Sequence, residues 1–107
     1  MYKFSDLLKK IRTEAGLTQE NLAHVLGVST ILIAMIETEQ KQVSKKFIEI
    51  LANKLDVHPS SITPFIFIED NLDHDKLSKT EKTFISFGEK LQNFLVKTRA
   101  KRLRAYV

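Results

Sequence analysis

The sequence predicts an all-α chain: a bundle of five short helices followed by an amphipathic C-terminal helix. Three observations predict it. Only three glycines and two prolines interrupt 107 residues. Apolar residues recur at three- and four-residue intervals, with almost no strand-like alternation. Ser or Thr stands before several of these runs and Gly after two of them, which is helix punctuation.

The elements follow in order. "FSDLLKKIRTEAG" puts Phe4, Leu7, Leu8 and Ile11 on one stripe, and Gly16 is a natural stop. Thr18 caps a second helix, "QENLAHVL", which runs to Leu26 and ends at Gly27. Ser29 caps a third, from about Thr30 to Glu37. "TEQKQV" is a polar connection. Ser44 caps a fourth, "KKFIEILANKL", with Phe47, Ile48, Leu51 and Leu55 inward. Pro59 suits the first position of a short fifth helix, and Pro64 ends it or turns the chain.

Residues 65–77 read as a linker. "FIFIED" (65–70) within it is β-prone, either a short strand or apolar packing against the fourth helix, and "DNLDHD" is turn-like. From residue 78 to 107 the pattern is helical again. Ser78 and Glu81 form a capping box, and Phe84, Phe87, Leu91, Phe94 and Leu95 make an amphipathic stripe. That stripe is expected to pair with a second copy of the chain, making a homodimer; folding back onto its own bundle is the alternative.

Composition narrows the function. The chain has no cysteine, so neither a disulfide scaffold nor thiolate chemistry is expected. His24, His58 and His74 are too scattered for a metal site. Asp70, Asp73 and Asp75 lack the central glycine and terminal glutamate of a calcium loop. No nucleophile–base pair shows recognisable spacing, and no glycine-rich phosphate loop is present, so no enzyme and no cofactor are expected. No apolar run approaches the ~20 residues that span a bilayer. "MYKFSDLLKK" lacks the features of a signal peptide, so the expected address is the cytoplasm. Net charge is +4. Residues 1–64 hold eight basic and seven acidic side chains, whereas "KTRAKRLR" holds five cations and no acid (Lys97, Arg99, Lys101, Arg102, Arg104). That tail is either a solvated helix end or a phosphate-binding arm.

Gln19 to Glu37 carries the central argument. Two helices meeting steeply across a three-residue turn need a small residue at the crossing, here Ala23. They need Gly27 where the turn demands positive φ. Leu22, Leu26, Val28, Ile33 and Ile36 must be apolar to hold the pair to the bundle. All of these are in register.

"LTQENLAHVLGVS", the "IE" at Ile36 and Glu37, and "LANKLDVHPSSI" together resemble the phage-repressor-like (Xre-family, lambda-repressor-like) helix-turn-helix domain over roughly residues 4–64. The resemblance implies a five-helix bundle, usually dimeric, that binds double-stranded operator DNA as a transcriptional regulator, most often a repressor. It implies that Thr18 and Gln19 meet a phosphate near the groove edge. It places Ser29, Thr30, Ile31, Ala34 and Met35 toward the major groove, and Thr38 and Lys41 toward the backbone beyond. Glu37 would support the turn rather than touch DNA.

Two departures stand out. Glu39 and Val43 occupy positions where the family commonly has Gly and Pro, so a modified exit from the third helix is expected. The groove face is also apolar, because Ile31 and Met35 offer no donor or acceptor to a base edge. Three readings of Ile31, Leu32 and Met35 stay open. They are part of a buried helix in a variant packing, or they meet thymine methyls and sugars, or they form a protein-binding patch. The last reading makes the chain a protein-interaction module, an antirepressor or adaptor, rather than a dimeric DNA-binding regulator.

Overall fold

The computed structural model describes residues 3–62 and 88–107. Every regular element among them is helical. Helix α1 (Phe4–Glu14) buries Leu7, Leu8 and Ile11 completely, the i, i+1, i+4 stripe read from its spacing. Helices α2 (Gln19–Leu26), α3 (Thr30–Glu37), α4 (Lys45–Leu55) and α5 (Pro59–Ile62) follow. Their starts are chemically defined. The hydroxyls of Thr18, Ser29 and Ser44 accept from the amides of Asn21 (3.0 Å), Leu32 (3.1 Å) and Phe47 (3.1 Å). At Thr18 the contact is reciprocal, since Asn21 Oδ1 accepts from the Thr18 amide at 3.2 Å.

The first four helices end by one device. Gly16, Gly27, Glu39 and Asp56 all take positive φ, between 58° and 71°. The amide of the following residue then reaches back to the carbonyl five positions earlier. Leu17 bonds Arg12 (3.0 Å), Val28 bonds Ala23 (3.0 Å), Gln40 bonds Met35 (2.8 Å) and Val57 bonds Ala52 (3.0 Å). The expected change at the exit of α3 is therefore absent. Glu39 adopts the left-handed conformation that glycine would have supplied. Its carboxylate accepts a hydrogen bond from Ser5 Oγ at 3.2 Å and lies 3.6 Å from Lys3 Nζ. These contacts to the start of α1 offset the steric cost of a side chain at that φ.

The core forms where α1, α2, α3 and α4 converge. Leu22, Ile33, Ile48, Leu51, Leu55 and Ile62 are sealed within it. Phe4 and Phe47 meet edge to face at 6.1 Å and close one end of the core.

The C-terminal residues continue the same core. Residues 88–94 are α-helical, Leu95–Arg99 widen into a π-helical turn, and Ala100–Tyr106 tighten into a 3-10 stretch. The π turn packs on α1, and the 3-10 stretch packs on α1, α2 and α4. Leu95, Ala100 and Leu103 are buried in the cluster that holds Leu8 and Leu55. Gln92, 1% exposed, donates its side-chain amide to the Ile62 carbonyl at 3.2 Å and so ties this segment to the end of α5. Arg102 approaches Asp56 at 3.5 Å, and the Lys54 ammonium stands 4.2 Å from the Tyr106 ring centre.

One expected seam residue is thereby corrected. Leu95 does not face a second chain, because it fills space against the chain's own helices. The possible strand at 65–70, Asp70, Asp73, Asp75, His74, the Ser78–Glu81 box, Phe84 and Phe87 lie outside the described residues.

Candidate nucleic-acid interface

The axes of α2 and α3 turn through 115° across Gly27, Val28 and Ser29. The corner has a local cause at each residue. Gly27 takes φ 69° and ends α2, Val28 packs partly buried against the core, and Ser29 returns to extended backbone and caps α3. Ala23, 3% exposed, leaves room for the crossing. Ile33 and Ile36 fix α3 from beneath.

A buried ion pair locks the corner onto α1. Arg12 Nε donates to Glu37 Oε2 at 2.8 Å and Arg12 Nη2 donates to Glu37 Oε1 at 3.0 Å, a two-pronged contact. The side chains are 14% and 3% exposed. A third prong, Nη1, donates to the Leu17 carbonyl at 2.9 Å in the α1–α2 turn. Gln19 Nε2 adds a contact of 3.3 Å to Glu37 Oε1. One carboxylate near the end of α3 thus gathers donors from α1 and α2. Glu37 has the supporting role expected of it. Arg12 is the partner that sequence reading passed over, although a signal existed. Glu37 falls on the inward side of α3 beside Ile33 and Ile36, and a carboxylate there requires a cation. Arg12 lies one turn past Leu8 on the buried side of α1.

The expected contact residues are placed as follows. Thr18 is exposed at the start of α2, and Gln19 is half-buried with its amide on Glu37. Ser29 and Thr30 are exposed at the start of α3. Ile31 is 72% exposed, the highest value among the large exposed apolar side chains of the described residues. Ala34 and Met35 are half-buried and share its side of the helix at i+3 and i+4. Thr38 is exposed, and its hydroxyl donates to the Ala34 carbonyl at 2.8 Å. Lys41 is exposed just beyond. Leu32 turns partly onto the core, so the apolar surface of α3 is narrower than its composition suggests.

Arg104 is a second residue that sequence reading did not place. A Cβ at Gly16 would stand 3.3 Å from Arg104 Nη1, which brings one cation of the basic tail to the α1–α2 turn.

No single described helix is long and apolar enough to cross a membrane. No curated protein and no solved structure matches the chain. The helix-turn-helix family model matches residues 8–62, just over half of the chain, and runs from within α1 to the end of α5. With a steep corner, a braced second helix and its far side open to solvent, all inside the matched region, the chain belongs to the Xre-like helix-turn-helix family of DNA-binding regulators.

Proposed function

We propose that the chain is a dimeric, sequence-specific transcriptional regulator, acting as a repressor, that lays α3 in the major groove of double-stranded DNA. The observation that carries this reading is the exposure of Ile31, with the half-buried Ala34 and Met35 beside it, on a helix whose opposite side is fixed and whose axis stands at 115° to α2. Ser29, Thr30 and Thr38 flank that surface, and Thr18, Gln19 and Lys41 stand where phosphates would pass on either side. Lys9, Lys10, Lys45 and Lys46 add exposed positive charge. The tail cations Lys97, Arg99, Lys101, Arg102 and Arg104 add to the same phosphate attraction. Two copies would place their α3 helices in successive grooves, ~34 Å apart. Leu91 and the 48%-exposed Phe94 would contribute to the dimer seam, together with Phe84 and Phe87.

A second reading rests on the same exposed isoleucine. An apolar α3 surface also suits a protein partner, as in an antirepressor or adaptor. The inward lean of Leu32 favours DNA, because one prominent isoleucine with half-buried neighbours is a smaller patch than protein interfaces use.

Fluorescence anisotropy with a random-sequence duplex separates the two readings. The regulator binds at low salt and loses affinity steeply as salt rises, since each phosphate contact releases a counterion. Absence of binding at low salt would favour the protein-partner reading.

A further inference from the structure

The outer surface of α3 is short of hydrogen-bonding groups, and most of the polar side chains at its ends already make a bond within the chain. Glu37 is turned inward onto Arg12. The Ser29 hydroxyl is engaged with the Leu32 amide. The Thr38 hydroxyl is engaged with the Ala34 carbonyl. Within α3 itself the remaining side-chain hydroxyl is that of Thr30. The most prominent side chain, in the first turn, is Ile31, with Ala34 and Met35 one turn further along the same side. The first turn of such a helix is the part that reaches base edges. The matching feature of the major groove is also apolar. It is the C5 methyl group, the groove's one hydrocarbon substituent, which thymine carries and unmodified cytosine lacks.

We infer that α3 selects its site by the C5-methyl groups of pyrimidines, with Ile31 as the specificity-determining side chain and Ala34 and Met35 completing an apolar socket. This inference rests on the DNA-binding reading above. Two sources share the chemistry, thymine and 5-methylcytosine. Ala34 serves by being small, which lets the methyl approach the helix backbone. Phosphate contacts supply most of the affinity, so the methyl contacts act as a filter between sites rather than as the main attraction.

The test uses the full chain and a duplex selected by it from a random pool. That duplex is resynthesised with deoxyuridine for thymidine, which preserves pairing and removes only the methyl. Affinity is expected to fall about fourfold for each contacted methyl withdrawn, the weight of one buried methylene. In Ile31→Ala the two duplexes should bind nearly alike; because Ile31 is exposed, that variant keeps the fold. A third duplex carries 5-methylcytosine paired with guanine at the sensitive positions. Affinity equal to that of thymine there means the methyl alone is read, and weaker affinity that still exceeds unmodified cytosine assigns thymine as the natural source. Equal binding of thymidine and deoxyuridine duplexes by the unaltered protein overturns the inference and leaves the DNA-binding reading intact. Failure to bind any duplex at low salt overturns both and assigns the apolar surface to a protein.

Discussion

A carboxylate as buried as that of Glu37 costs several kcal/mol unless donors replace its lost water. Arg12 and Gln19 supply three donors to its two oxygens, at 2.8, 3.0 and 3.3 Å. The pair therefore specifies geometry: it holds α3 against α1 at the helix end opposite Ser29. Removing one partner should be costly, because the other stays buried without compensation. Glu37→Ala is expected to lose about 3–5 kcal/mol of stability in urea unfolding, and a double variant with Arg12→Met to recover much of it. A loss below about 1 kcal/mol would mean that water reaches the pair. This residue-scale logic also separates support from contact among the α3 polar groups. Glu37 braces, Ser29 caps, and Thr30 and Ile31 are left to meet whatever the helix faces.

At the scale of the element, the corner between α2 and α3 depends on one residue with positive φ. A Cβ at Gly27 would meet nothing within 4 Å, so substitution there tests backbone conformation free of any clash. Gly27→Ala should cost about 1 kcal/mol by thermal unfolding while leaving the helical content unchanged. No measurable cost would show that the turn relaxes to another conformation. The helices themselves were legible in the sequence. Thr18, Ser29, Ser44, Gly16 and Gly27 mark boundaries through local hydrogen bonds and φ preferences, which a single sequence displays. The exits at Glu39 and Asp56 were not legible as left-handed. Glutamate disfavours that conformation and aspartate only tolerates it; the backbone bonds that close both turns are local, and at Glu39 a contact distant in sequence, to Ser5, is added. The Arg12–Glu37 bond joins residues 25 apart and escaped reading because of that separation. Along α3 the groove-facing residues were expected from the family resemblance. The inward lean of Leu32 comes from packing that the resemblance does not specify.

At the scale of the molecule, the C-terminal segment seals the bundle. A bundle of about 60 residues buries a modest fraction of its apolar surface, and Leu95, Ala100 and Leu103 enlarge its core. An amphipathic helix here has two uses open to it, folding back and dimerisation. The described residues serve the first with Leu95 and Leu103, while leaving Phe94 half exposed for the second. On the proposed dimer the two roles are separable. Leu103→Ala should lose about 2–5 kcal/mol of stability without changing the oligomeric state seen by sedimentation, whereas Phe94→Asp should yield monomers whose unfolding, unlike that of a dimeric parent, does not depend on protein concentration. If Leu103→Ala is as stable as the parent, the C-terminal segment is not part of the working core.

The central claim is that α3 is the surface offered to DNA, and amide chemical shifts of the labelled protein test it most directly. On addition of a short random duplex at low salt, the account predicts perturbations concentrated at residues 18–19 and 29–41 that fade as salt is added. Perturbations confined to the C-terminal segment, with α3 silent, would contradict it.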